Sequence, residues 1–436
     1  MTTPPRSVAL LGPDVVLLAM ETLGAGTATS SNAVLVVELA GAIDSNRVES
    51  ALSRFLVHCP WLGGRLSRPR PWGKLRWRVP KDGPSRPPVR TQSLAAGELR
   101  ALVDRELVAR LDPYREAPLR LTLADENGAT HLVLTWAHPL MDPHGSEHLL
   151  RLLAELDEQR DGAPPWAKPP LLVAPPETRS FRERGALASR GAAQLKSLAP
   201  IPPISLAAHN GRPTGLRRHR RFRFVAGPPY PDRLRRGMPW RLAVVAKAMT
   251  ALWVRRGLPT DVPFLVPVSI DRRPRGEHGP VLGNYLGFHF ARCQPPVDGD
   301  SARLARELRD QLADAIRGGE IEAGWAGMSF ARYRPLRGMF RELPWTVAGD
   351  FCSFHFADTA VLLPDRTHLF GAPITGGYHV ASVPDRPGAG IFFSRAGSVE
   401  SVVVSWANDV LDDADAEALA AIIQHEMGWG EARGAS

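Results

Sequence analysis

A histidine and an aspartate four positions apart, His138 and Asp142, are the residues of this sequence best suited to do chemistry. A neutral imidazole can accept a proton from an alcohol or an amine near neutral pH. The carboxylate of Asp142 could contact that imidazole, or it could turn away and fix the loop by pairing with an arginine. The sequence leaves both roles open, and either would make this turn the centre of a site.

The segment around His138 has the pattern of a strand, a polar turn and a helix. Side chains alternate along 131–137, which places one set on each face of a strand. A second strand is predicted over 119–123, joined to the first by a hairpin at Asn127-Gly128. After the turn 139–145, leucines recur at the spacing of an amphipathic helix. They are Leu149, Leu152, Leu153 and Leu156.

The HxxxD pattern is a weak signal by itself, because it arises by chance about once in two such chains. Its placement between a strand and a helix strengthens it, although a buried histidine bonded to a backbone group is a structural alternative. His144, on the same turn, is a rival base that we expect at the surface or at the helix cap. A buried Asp142 would need a cation, and Arg272 or Arg273 could supply it. Of the two we expect Arg272.

Composition indicates a folded globular protein. The chain has 436 residues, of which 44% are hydrophobic and 23% charged, with room for two domains. The net charge is +9, but all except five of the 54 basic residues are arginine, a bias typical of high-GC coding. Aromatic residues are only 7%, so no nucleic-acid partner is predicted. The basic run 217–223 is either a solvated edge or a site for the phosphates of a cofactor or for an acidic carrier.

The motifs of several other chemistries are missing from the sequence. It contains no GxxxxGK[ST], HExxH or GxSxG, so ATP, zinc and serine-hydrolase chemistry are unsupported. Cys59, Cys293 and Cys352 are too far apart in sequence to suggest a metal site or a disulfide framework. No apolar run is long enough to span a bilayer, and the N-terminal run is broken at 12–14, which argues against a signal peptide. We therefore expect a cytoplasmic protein.

The two halves of the chain repeat a similar order of elements. Each offers strand, helix and strand, and residues from about 162 to 215 between them are rich in Pro, Ala, Arg and Ser. We predict an α+β protein with an N-terminal lobe over 1–175, a crossover linker over 176–216 and a C-terminal lobe over 217–436. A C-terminal helix is expected over about 413–427.

The chain resembles the chloramphenicol acetyltransferase-like acyltransferase superfamily, which includes free-standing condensation domains and wax ester synthase/diacylglycerol acyltransferases. The shared mark of that superfamily is HHxxxDG or HxxxD, and here it is AHPLMDP at 137–143. Looser similarity extends over nearly the whole chain. It covers the segments 10–24, 38–66, 264–287, 368–377 and 390–423.

The resemblance implies a V-shaped pair of lobes, each an α/β two-layer sandwich, with a tunnel between them and His138 at its centre as the general base. Asp142 would be the structural partner of Arg272. The donor would be a thioester on coenzyme A or on the pantetheine of an acyl or peptidyl carrier protein, with no bound cofactor or metal, and the acceptor an alcohol or amine. A monomer is expected. The residues expected to line the tunnel are Trp136, Pro143, His144, Gly145, Asn284 and Ser353.

Two positions depart from the family motif. Ala137 replaces the first His of HHxxxDG, and Pro143 replaces the Gly, which removes a backbone donor from the turn. These departures leave a second hypothesis open: a catalytically degenerate condensation-like domain that binds or recruits a carrier protein. A third is that the same tunnel serves hydrolysis, cyclisation or isomerisation. The segment Gly283-Asn284-Tyr285-Leu286-Gly287 could also be only a tight turn.

Overall fold

The computed structural model describes most of the chain. The described residues are 5–20, 32–68, 73–159, 164, 166–173, 179–209, 215–226, 237–273, 279–334, 336, 350–381, 383–407 and 409–431. The helices in them are α1 Gly12–Met20, α2 Ser45–His58, α3 Leu99–Val108, α4 Pro143–Glu158, α5 Phe181–Leu198, α6 Met238–Arg255, α7 Ser301–Arg317, α8 Glu320–Ala331 and α9 Asp413–Met427.

The strands are short and mostly buried. They are β1 Ser7–Ala9, β2 Asn32–Leu39, β3 Arg65–Ser67, β4 Arg76–Arg78, β5 Val89–Leu94, β6 Leu119–Glu126, β7 Ala129–Ala137, β8 Arg217–Val225, β9 Phe264–Asp271, β10 Leu286–Cys293, β11 His355–Val361, β12 His368–Leu369, β13 Ala372–Ala381, β14 Ala389–Ala396, β15 Val399–Ala407 and β16 Gly430–Glu431.

The first large sheet has the strand order β12-β13-β2-β7-β6-β5. The strand that leads to His138, β7, lies in its middle and pairs antiparallel with both β2 and β6. The hairpin predicted between β6 and β7 is confirmed: Asn127 and Gly128 have φ values of 56° and 80°, which these two residue types adopt at low cost. A central strand with partners on both sides gives the following turn a fixed base.

The second large sheet has the order β10-β9-β11-β14-β15-β8-β16. It is antiparallel except around β11, which runs parallel to both β9 and β14. A separate small sheet has the order β1-β4-β3. The chain therefore builds two mixed layers, as expected for an α+β protein.

The first sheet is completed by strands from late in the chain. β13 pairs antiparallel with β2, with Gly377 opposite Val37 and Tyr378 opposite Val36. Although 372–381 falls inside the predicted C-terminal lobe, it belongs to the sheet of the N-terminal half. The pairing of β13 with β2 joins the two halves of the chain. The predicted division into two lobes and a linker over 176–216 stays a proposal.

Each large sheet packs against its own helices. Of these, α2 and α4 pack together over the first sheet, and α6 packs with α7 and α9 over the second. The leucine stripe predicted for α4 is buried, at Leu149, Leu152, Leu153 and Leu156. The helix predicted near the C terminus begins after Asp412, whose side chain accepts a hydrogen bond from Asp415 N–H. These local predictions are confirmed because each depended on the spacing of neighbouring residues.

The predicted linker contains an unpredicted helix, α5. A capping box starts it, in which Ser180 Oγ accepts from Glu183 N–H and Glu183 accepts from Ser180 N–H. It packs against α8 so closely that a Cβ added at Gly191 would lie 2.4 Å from the carbonyl oxygen of Ala323. The Pro-rich flanks led to the linker interpretation, although the Ser-x-x-Glu signal was present.

Two further features concern the helices and the cysteines. In the described residues, no helix is long and apolar enough to cross a membrane. The three cysteines, Cys59, Cys293 and Cys352, are buried and unbridged.

Candidate active site

A large cavity lies between the two sheets, with a volume of about 1010 Å³. β2 and β13 border it from the first sheet, β9, β10 and β11 from the second, and helices α1, α5 and α8 close it. Most of its wall is apolar, and its larger side chains include Leu17, Met20, Phe288, Phe290, Met328 and Phe330. His138 borders this cavity, so the histidine chosen from the sequence faces an open space large enough for a substrate.

The turn that carries His138 is held by its own backbone and by a buried indole. β7 ends at Ala137, whose carbonyl oxygen accepts a hydrogen bond from Leu140 N–H at 2.9 Å. The indole Nε1–H of Trp136 donates to the carbonyl of Met141 at 2.7 Å. The chain therefore folds back at once after the strand, and His138 is placed at the strand end as predicted.

Asp142 fixes this turn to the other half of the molecule. Its side chain is fully buried and accepts from Gly145 N–H at 2.9 Å, which caps α4. It also accepts from Tyr285 N–H at 3.0 Å and from Arg273 Nη2 at 2.6 Å. Of the two roles that the sequence left open, the structure therefore supports the loop-fixing one.

The partner of Asp142 is Arg273 and not the predicted Arg272. Arg272 lies on the other side of the chain, with its guanidinium 4.9 Å from the ring centre of Trp325 and its Nη2 3.7 Å from Glu322. Arg273 takes the place instead, and it also donates to the carbonyl oxygens of Val281 and Gly283. Successive side chains leaving a strand point to opposite faces, so the choice depended on a register that the sequence did not reveal.

The ring of His138 is half-buried and neutral. Nδ1 is buried and has no hydrogen-bond partner among the described residues, so Nε2 is the nitrogen that the cavity can reach. Burial lowers the pKa of His138, although its own carbonyl, the charge of Asp142, the carbonyl of Met141 and the Asn284 side chain act in the opposite direction. A neutral imidazole with a free nitrogen in a cavity can accept a proton.

The tunnel residues expected from the resemblance divide into two groups. Trp136, Pro143 and His144 border the cavity together with His138. His144 lies at the second position of α4, with its Nδ1 3.8 Å from Glu147, and so is both near the helix cap and near the cavity. Its position leaves it as the rival base that the sequence identified.

Gly145 and Ser353 do not line the cavity. A Cβ added at Gly145 would lie 1.8 Å from the carbonyl oxygen of Leu282, so this glycine permits close packing of α4 on the segment before β10. Ser353 is buried, and its Oγ accepts from Leu265 N–H at 3.1 Å. Neither residue lines the cavity, because Gly145 permits close packing and Ser353 binds a backbone N–H, and the sequence did not reveal either contact.

Asn284 is also not a cavity residue, but it supports the site from behind. It is fully buried, and its amide Nδ2 donates to the carbonyl of His138 and to Asp14 Oδ1, both at 2.9 Å. The tight turn suggested for this segment therefore carries a side chain that holds the backbone of the candidate base.

Two residues near the site were missed from the sequence. Asp14, in the first turn of α1, is buried behind His138 and accepts from Leu11 N–H at 2.6 Å. An acidic residue at a helix start was its only signal. His355, at the start of β11, borders the cavity. It gave no local signal, because only the pairing of β11 with β9 and β14 brings it there.

The basic run 217–223 is largely neutralised inside the protein. Arg217 pairs with Asp385, His219 with Asp104, and Arg221 with Glu38. β8 pairs with β15 along its whole length, whereas on its other side β16 pairs only with Phe224 and Val225. The run is therefore partly a solvated edge, since Arg218 is exposed, and partly an internal row of paired side chains.

Comparison with known proteins places the fold. No protein-family model and no curated protein sequence matches the chain significantly. Among solved structures, the first condensation domain of the CDA synthetase matches with a TM-score of 0.67 at 16% identity, covering 97% of this chain and 95% of that one. Trichothecene 15-O-acetyltransferase from Fusarium sporotrichioides matches with a TM-score of 0.68 at 12% identity, covering 98% and 96%.

A third structure, the starter condensation domain of rhizomide synthetase in complex with C8-CoA and Leu-SNAC, matches with a TM-score of 0.66 at 12% identity. The match covers 97% of this chain and 94% of that one. At these identities the likeness concerns the fold. The chain therefore has the two-lobed fold shared by condensation domains and chloramphenicol acetyltransferase-like acyltransferases, as the sequence resemblance implied.

Proposed function

We propose that this protein is an acyltransferase in which His138 is the general base and an acyl group passes from a thioester to an alcohol or an amine. The observation that carries the proposal is the neutral imidazole of His138, which presents Nε2 to a cavity of about 1010 Å³. The fold supports it, because matching structures include an acetyltransferase and condensation domains.

In the proposed reaction, His138 Nε2 takes the proton as the acceptor oxygen or nitrogen attacks the thioester carbonyl carbon. The new bond forms while the carbonyl π electrons move to oxygen. When this intermediate collapses, the carbon–sulfur bond breaks and the proton passes from His138 to the departing thiolate. Proton transfer by a placed base is typically worth about 10²- to 10⁴-fold in rate.

The rest of the site would position that base and hold the substrate. Asp142, bound to Arg273 and to two backbone N–H groups, fixes the turn and does not take the proton. The apolar wall formed by side chains such as Met20, Phe290 and Met328 suits an acyl chain. A mostly apolar cavity would also limit the water that can hydrolyse the thioester.

The donor would be an acyl-CoA or an acyl group on a phosphopantetheinyl carrier protein. A matching condensation domain was solved with C8-CoA, which supports coenzyme A as one possible carrier of the acyl group. No bound cofactor is needed for this chemistry. A carrier-protein partner, a monomeric state and a cytoplasmic location remain predictions.

The test is turnover by wild type and by His138→Ala on a panel of acyl-CoA thioesters with alcohol and amine acceptors. Released thiol would be followed continuously, and product masses would separate acyl transfer from hydrolysis. We expect His138→Ala to lose about 10²-fold or more in rate with folding intact. Wild-type turnover in that variant would refute the proposal.

A matched control is His368→Ala, which removes an exposed histidine on β12, away from the cavity. It should keep wild-type turnover. Thermal unfolding of all three proteins would show that the His138 variant is folded. Binding of carrier protein without turnover by either wild type or His138→Ala would favour the recruitment hypothesis instead.

A further inference from the structure

His355 is a further imidazole on the cavity, which His138, His144 and His379 also border. His355 is the first residue of β11, where its neighbour Phe356 lies opposite Val268 of β9, and it borders the cavity. Burial lowers the pKa of His355 to about 4, with a smaller lowering contribution from His138 when that ring is protonated. His355 is therefore neutral near neutral pH.

The orientation of this ring leaves one nitrogen for a ligand. Nε2 of His355 is buried and has no hydrogen-bond partner in the described part of the chain. Nδ1 is then the nitrogen that the cavity can reach. An unpaired buried acceptor is better tolerated than an unpaired buried N–H. The favoured tautomer thus places a bare lone pair at Nε2 and directs Nδ1–H into the cavity.

The helix beside His138 offers few donors of its own. Pro143, the first residue of α4, has no backbone N–H. The N–H of Gly145 is already bonded to Asp142. Two of the first three backbone positions of α4 therefore cannot bind a developing negative charge on a substrate oxygen, and another donor would have to do so.

We propose that His355 supplies that donor: its Nδ1–H would bind the thioester carbonyl oxygen as this oxygen gains negative charge during attack. This rests on the acyl transfer proposed above. His355 exchanges no proton in the step, since the acceptor proton goes to His138 and then to the leaving thiolate. His138 would thus act as the base and His355 as a neutral hydrogen-bond donor, a role for which a lowered imidazole pKa is suited.

The experiment compares three variants, His355→Ala, His355→Asn and His355→Gln, using release of coenzyme A from the best acyl-CoA donor. The amide nitrogen of Asn can occupy the place of Nδ1, whereas that of Gln comes closer to Nε2. Loss of one donor to such an oxyanion typically lowers kcat by about 10²- to 10³-fold. We expect that loss in kcat, with KM little changed, for His355→Ala.

We expect His355→Asn to recover much of the lost kcat and His355→Gln to recover little. Rates in His355→Ala within twofold of wild type, or recovery by Gln and not by Asn, would overturn the proposal. If the Ala variant does not fold, the Asn and Gln variants decide by themselves. If His355→Ala keeps its rate while His138→Ala is inactive, the role of His355 is refuted and the acyltransferase proposal stands. If His138→Ala is active, both proposals are refuted.

Discussion

Two buried carboxylates lie behind the turn of His138, and they are held in different ways. Asp142 has a cation, Arg273, and two backbone donors. Asp14 has Leu11 N–H and the amide of Asn284, and no cationic side chain lies within ion-pair distance of it in the described residues. Burial therefore raises the pKa of Asp14 to about 7, against the lowering effect of its hydrogen bonds.

The difference shows what holds the candidate base in place. The segment 284–285 contacts both acids, because the Asn284 side chain binds Asp14 and the Tyr285 N–H binds Asp142. Asn284 also binds the carbonyl of His138. One acid thus forms an ion pair across the two halves, and the pKa of the other lies near neutral pH. The following variants test this contrast.

The largest effect is expected from Arg273→Met. It would leave Asp142, which is fully buried, without its cation. Breaking one partner of a buried ion pair typically costs about 3–5 kcal/mol. Urea unfolding should show this loss in the free energy of unfolding.

The matched control for Arg273→Met is the Arg272→Met variant, which changes the neighbouring residue. Arg272 is partly exposed and lies 3.7 Å from Glu322, so we expect a loss of about 1 kcal/mol or less. Equal losses in the two variants would contradict the assignment of Arg273 as the partner of Asp142.

Asp14→Asn should change how stability depends on pH. The pKa of Asp14 is 3.8 when free and about 7 in the folded protein. Between these values the folded state keeps a proton that the unfolded state has lost, so stability falls as pH rises from about 4 to about 7. The shift corresponds to about 4 kcal/mol at most.

Because Asn cannot ionise, Asp14→Asn should flatten this slope and become more stable relative to wild type as pH rises. Urea unfolding of both proteins between pH values of about 5 and about 8 measures how the free energy of unfolding depends on pH. Parallel curves for the two proteins would show that Asp14 is not the titrating group.

A smaller effect is expected from Asn284→Ala. The change removes the donor to Asp14 and to the carbonyl of His138. Leaving buried acceptors unpaired typically costs about 1–3 kcal/mol. We expect that loss in urea unfolding, and a lower rate of acyl transfer because the backbone of the base is released. No change in either would show that Asn284 only fills space.

The smallest effect is expected from Pro143→Ala. Pro143 occupies the first position of α4, where its fixed φ suits a helix and its missing N–H is not needed. Replacing it should cost about 0.4–1 kcal/mol through the unfolded state. A thermal-unfolding measurement would detect this, and a gain in stability would mean that the proline strains the turn.

The parts of the molecule that local spacing determines could be predicted from the sequence. Alternation along β7, the hairpin at 127–128 and the leucine stripe of α4 each depend on neighbours a few residues apart. They placed His138 at a strand end before a helix, which the structure shows.

The rest of the site depends on contacts between distant segments. Choosing Arg273 over Arg272 required the register of the chain after β9, and finding His355 required the pairing of β11. Asn284 was identified as a residue of interest but given a substrate role, because its contacts to Asp14 and His138 span 270 and 146 residues. Helix α5 was missed because proline-rich flanks outweighed a capping signal.

The central claim is that a neutral His138 removes a proton from the acceptor. The most direct test is the pH dependence of kcat/KM for acyl transfer, because this ratio reports the ionisation of the free enzyme. In wild type the rate should rise with pH through one ionisation below the ordinary histidine pKa of 6.5 and then stay level through neutral pH. That ionisation should disappear in His138→Ala along with most of the rate; the same profile and rate in His138→Ala would contradict the account.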